Sequence, residues 1–158
     1  MRPVLAVLIC ATLGCGVSEV DRQKKAAHQV DKILTARQQR NETSARWAST
    51  GPRKIPQDVL RQVKGFDEEI LLGTQQVDTK ALNQIYPELG STLERTLHRS
   101  IVLHMEAQLE YMDSSKKGSS YSPDSDRKEA EANALDQEWD AWFRGRTHEV
   151  AEALRSKW

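Results

Sequence analysis

Between residues 55 and 101 the apolar side chains recur at intervals that only a helix can use. Ile55, Val59, Val63, Phe66 and Ile70 follow one another at steps of four, four, three and four. Leu82, Ile85, Leu89, Leu93, Leu97 and Ile101 continue at steps of three and then four throughout. A helix with about 3.6 residues per turn gathers such positions on one face, whereas a strand scatters them over two. No run of alternating β-branched residues and no Asn-Gly hairpin turn competes with that reading. The predicted fold class is all-α. At 158 residues the chain has material for one domain and not for two.

Four helices are predicted, at about 18–46, 56–73, 79–112 and 124–157. The first starts at Ser18, a capping residue, and carries a thin apolar edge of Val20, Ala27, Val30, Ile33 and Leu34 among Gln, Arg and Lys. The second has Pro56 in its first turn and Gly73 as its expected stop. Asp78 or Thr79 caps the third, in which Pro87 and Gly90 mark a kink or a fresh start. At Ile101-Val102-Leu103 three neighbouring apolar residues face three directions, which puts this point at the centre of the core. Residues 113–123 read as a flexible loop from their Ser, Gly, Lys and Pro content. The last helix carries Ala134, Leu135, Trp139, Trp142, Val150 and Leu154 on one side. Short connections between such helices predict an antiparallel bundle of three to four helices, with the short second one covering part of a groove.

The N-terminus has a different build. MRPVLAVLICATLGCG places Arg2 before an apolar run from Val4 to Leu13, followed by small residues. A charged start, an apolar stretch of about 7–15 residues and small residues at the cut make a secretory signal, too short to span a bilayer. Thr12-Leu13-Gly14-Cys15 resembles the lipobox of bacterial lipoproteins, in which a small residue precedes an acylated cysteine. The resemblance covers four residues and departs from the pattern in the order of Thr12 and Leu13. It implies a signal peptide over residues 1–14, Cys15 as the lipid-attachment site, and a single bundle domain over 15–158. Ile9 is too bulky for Cys10 to compete. Gly16 in place of an inner-membrane Asp signal implies the periplasmic face of the outer membrane in a Gram-negative host. Ordinary secretion, with Cys15 discarded, is the alternative. Both cysteines lie in this leader, so the body has no disulfide and no thiol chemistry.

Trp139, Trp142 and Phe143 form the densest aromatic stretch, with Trp139 facing Trp142 three residues on and Phe143 four residues on. They either fill a core short of large residues or, with Arg144 and Arg146 beside them, form a patch for a partner. Trp139, Trp142 and Arg146 are the candidate partner-binding residues. Glu94 and His98 stand one helical turn apart, but His98 and His104 are six residues apart and diverge around the helix. No metal site is predicted from them, and no cofactor. Glu106/Glu110 and Asp136/Asp140 are acid pairs at one-turn spacing, as a solvated helix face has routinely. No phosphate loop, zinc motif or catalytic triad spacing is present. Asn41-Glu42-Thr43 fits a glycosylation sequon, which has no meaning in a bacterial chain.

Lys plus Arg and Asp plus Glu are 23 each, a balance that argues against general nucleic-acid binding. The charge is unevenly placed: residues 18–46 hold seven basic and four acidic residues, and residues 118–140 hold two basic and seven acidic. The first and last helices are therefore expected to attract one another, or the first to lie as a basic strip against anionic lipid or cell-wall polymer. Together these features predict an exported, lipid-anchored bundle that binds or scaffolds another envelope protein without catalysis. A soluble periplasmic module holding a small ligand or metal near His98 and His104, and an enzyme of unrecognised site, are the alternatives.

Overall fold

The computed structural model describes residues 17–48, 56–116 and 122–158, and within them the chain is helical with no strand. The elements are α1 (Glu19–Ala48), α2 (Gln57–Gln76), α3 (Thr79–Ile85), α4 (Leu89–Leu93), α5 (Arg99–Lys116), α6 (Pro123–Arg144) and α7 (Thr147–Arg155). A π-helical turn, Glu94–His98, carries α4 into α5 without a break. The start signals work as expected at Ser18, whose Oγ accepts from the Asp21 N–H at 3.1 Å, and at Asp78, whose carboxylate accepts from the Ala81 N–H at 3.0 Å. Ser122 caps α6 in the same way, at 3.3 Å from the Ser125 N–H.

Side-chain pairs give the topology. Arg22 meets Asp78, Arg40 meets Asp67, and Ile33 lies against Gly73, so α1 and α2 run antiparallel. Ser100 meets Asp136 and Lys128 meets Glu110, so α5 and α6 do the same. Arg37 and Arg40 of α1 reach Asp136 of α6, and Thr74 of α2 bonds His98, which joins the two hairpins into one bundle. The core between them contains Ala26, Ala27, Val30, Ile33, Ile70, Leu82, Leu89, Leu93, Leu97, Ile101, Trp139 and Val150, all essentially inaccessible. Of the three residues read as the centre of the core, Ile101 lies in it, Leu103 is buried outside that cluster, and Val102 is half-buried.

The interruption expected at Pro87 is present, and the element boundaries differ from expectation in three other places. The helix over 79–112 breaks at Tyr86, whose φ of −144° is extended because it precedes Pro87, and a fresh helix follows. Glu88 then takes a left-handed φ of 65°, and α4 starts without a local side-chain cap. Asn83 from the previous helix fills that role, its Oδ1 accepting from Gly90 N–H at 2.8 Å and Ser91 N–H at 3.2 Å. The predicted helix over 124–157 is two, separated at Gly145 and Arg146. Of the predicted loop over 113–123, the first four residues continue α5 to Lys116 and Pro123 opens α6, while 117–121 lie outside the described residues. Gly73 does not stop α2, which runs on to Gln76. Its role is contact: a Cβ there would sit 2.6 Å from Ile33 Cγ1, so the missing side chain lets α1 and α2 approach. Ala134, placed on the buried side of the last helix by its sequence, is exposed.

Candidate functional site

Thr12 to Cys15 lie outside the described residues, so the structure says nothing of the lipid-attachment position. The aromatic stretch is described in full. Trp139 is 1% exposed and stacks on Phe143 with ring centroids 5.5 Å apart and an interplanar angle of 15°. Its ring is sealed in the core, so for Trp139 the core-filling alternative holds and the partner-patch alternative does not. Trp142 sits at the edge, half-buried, 5.8 Å from Trp139 and 6.2 Å from Tyr86. The Arg146 guanidinium lies over its ring at 5.2 Å and donates to the Trp142 carbonyl oxygen at 3.1 Å. Trp142 Nε1 is buried without a hydrogen-bond partner. The surface part of the expected patch is thus Arg146 and the outer edge of Trp142, two residues locked to one another.

The chemistry that the sequence left scattered converges in the bundle interior. His104, on α5, is 3% exposed and both ring nitrogens are engaged: Nδ1 with Glu129 at 2.9 Å and Nε2 with Asp136 at 3.3 Å. Ser100, one turn before His104, donates its hydroxyl to Asp136 at 2.9 Å. Asp136 also faces Arg37 at 3.6 Å and Arg40 at 3.8 Å. Arg37 reaches Asp140 at 2.7 Å, and Arg40 reaches the fully buried Asp67 of α2 at 2.5 Å. The network therefore ties α1, α2, α5 and α6 at one level of the bundle.

The electrostatics follow from that packing. Burial works against charge on His104, but its hydrogen bonds to Asp136 and Glu129 prevail and raise its pKa to about 9. The imidazole is a cation at neutral pH, without a free nitrogen to accept a proton. Burial likewise works against the Asp136 carboxylate, and His104, Arg37 and Ser100 overcome it, holding the carboxyl below its ordinary value. At Asp67 burial wins over Arg40 and raises the pKa. Consistently, Asp67 Oδ2 has no hydrogen-bond partner. Ser100, His104 and Asp136 share residue types with a catalytic triad, but the hydroxyl bonds the carboxylate and not the imidazole, so no nucleophile is activated.

The remaining expectations resolve into pairs. His98 Nδ1 lies 2.8 Å from Thr74 Oγ1, a partner on α2 that His104 does not share. Among the described residues, no group of three or more His, Cys, Asp or Glu side chains is placed to hold a metal ion. Glu106 and Glu110 both bind Lys128, at 3.0 and 2.6 Å. Asp136 and Asp140 both bind Arg37. Ser100 and His104 stand one turn apart and Glu129 and Asp136 two turns apart, a signal present in the sequence but meaningful only once α5 and α6 are set side by side. Comparison with protein-family models, curated proteins and solved structures gave no significant match.

Proposed function

We propose that the chain is an exported lipoprotein of the cell envelope, fixed to a membrane through acylated Cys15, whose helical bundle binds or scaffolds another envelope component without catalysis. The observation that carries this reading is Leu13-Gly14-Cys15 at the end of an apolar run, with α1 opening only four residues later at Glu19. So short a tether would hold the bundle against the lipid surface, and three acyl chains at about 0.8 kcal/mol per buried methylene would make the attachment effectively permanent. Among the described residues no helix is long and apolar enough to cross a membrane, so a lipid would be the means of attachment for this part of the chain.

Two further features support a binding role over a catalytic one. The interior titratable groups are committed to one another, His104 through both nitrogens. The bundle instead exposes apolar side chains at its surface, among them Leu109, Tyr111, Met112 and Trp158, each more than half exposed. Radiolabelled palmitate tests the anchor: incorporation is expected in the wild type and lost in Cys15→Ala. Equal labelling of the two proteins, or a processed terminus at Val17 or beyond with no lipid mass, overturns it.

A further inference from the structure

The N-terminal half of α1 and the end of the chain form a cleft that the sequence does not announce, because its two walls are more than a hundred residues apart. Lys24, His28 and Lys32 lie at successive fourth positions along one face of α1, with Lys25 beside them. Lys157 and Trp158 close the other side, around an open volume of about 630 Å³. Trp158 meets His28 edge to face with ring centroids 5.8 Å apart, yet its residue is 65% exposed.

The charge in this cleft is unspent. Elsewhere the basic groups are largely paired: Arg22, Arg37, Arg40, Lys64, Arg95, Arg99 and Lys128 each hold an acid. Lys24, Lys25, Lys32 and Lys157 form no ion pair among the described residues. The acids nearest them on α1, Asp21 and Asp31, form none with them either, and Asp21 accepts from Ser18 instead. Val17 and Val20, at the start of the same helix, are 66% and 59% exposed. A row of free lysines, a tryptophan with one wet edge, and bare valines at the same end match a membrane interface. There the ammonium groups meet phosphodiesters while the indole and aliphatic groups enter the headgroup boundary.

We infer that this cleft binds the headgroup of an anionic phospholipid and so lays the first half of α1 along the membrane surface. The inference rests on the envelope-lipoprotein reading, since Cys15 would deliver this end of α1 to the lipid. The cleft then fixes how the bundle is turned, with α1 on the lipid and the α5–α6 hairpin free for a partner.

Partitioning of the full chain into vesicles tests it. Binding to phosphatidylcholine vesicles is compared with binding to vesicles containing 30% phosphatidylglycerol, so that the contribution of the apolar leader cancels. A lysine near such a surface adds about 1 kcal/mol, or about fivefold. The wild type is expected to favour the anionic vesicles by tenfold or more, and K24E/K32E/K157E is expected to lose that preference. W158A should lose part of it. R95E/R99E/R127E, with the same change in net charge outside the cleft, should retain most of it, and circular dichroism checks that all variants are folded. A wild type that ignores phosphatidylglycerol overturns the inference, as does equal loss in both triple variants, which would reduce the effect to net charge. Palmitate labelling is read on the same proteins. A labelled chain without headgroup preference sinks the cleft alone, and an unlabelled chain that keeps the preference sinks the anchor alone.

Discussion

At the scale of single residues, His104 is where burial and charge are most closely opposed. With its pKa raised from the ordinary 6.5 to about 9, the folded state holds the imidazole proton more tightly than the unfolded chain does. The resulting stabilisation is complete below pH 6.5 and vanishes as pH rises through 9. It amounts to about 3 kcal/mol by the usual conversion. Chemical denaturation of the wild type against His104→Gln between pH 6 and 10 should show the difference shrinking over that interval. A difference independent of pH would mean that His104 is neutral in the fold. The two buried aspartates should behave unequally. Asp136 is held charged by His104, Arg37 and Arg40, so Asp136→Asn leaves cations uncompensated and is expected to cost about 3–5 kcal/mol. At Asp67 burial opposes the charge and Arg40 is the main group that supports it, so Asp67→Asn should cost less than Asp136→Asn. Urea midpoints at pH 7 measure both.

Among the elements, two glycines hold helices close by different means. At Gly73 an added Cβ meets the Ile33 side chain, at 2.6 Å from Cγ1. At Gly90 it meets the Thr79 backbone, at 2.1 Å from the carbonyl oxygen. A side chain can be removed and a backbone cannot. Gly73→Ala is expected to cost about 1–3 kcal/mol alone and clearly less in an Ile33→Ala background. Gly90→Ala should cost at least as much and find no such rescue. A double-mutant cycle with no coupling between residues 33 and 73 would show that α1 and α2 have room to spare. The break before α4 was partly legible, since Pro87 forbids helical geometry at Tyr86, but the cap supplied from Asn83 was not. Nor was the break at Gly145–Arg146, because glycine within an apolar helical pattern reads as a weak spot and not as an end.

For the molecule as a whole, α7 completes a core that the two hairpins leave open. It contributes Val150 and Leu154, both buried, and holds Tyr86, whose hydroxyl donates to Glu149 at 2.6 Å. Each such apolar side chain contributes about 1.5–3 kcal/mol, and a domain of this size has about 5–15 kcal/mol in total. A chain ending at Gly145 is therefore expected to keep its helical far-ultraviolet signal, lose near-ultraviolet dichroism and bind a hydrophobic dye. Full near-ultraviolet signal in that chain would make α7 an accessory. The attraction expected between the first and last helices is present at the same scale, in Arg37 and Arg40 of α1 against Asp136 and Asp140 of α6.

What the sequence determined by itself is the helical class, most helix starts, and the central place of Ile101. Periodicity, caps and proline act through neighbours within one or two turns, and all of those are adjacent in the chain. Three things required the folded molecule: the choice between core and surface for Trp139, the charge on His104, and the joining of α1 to Lys157 and Trp158. Each depends on groups brought together from separate helices. Burial and electrostatic interaction are set by distance in space, and the spacing of letters along the chain does not record it.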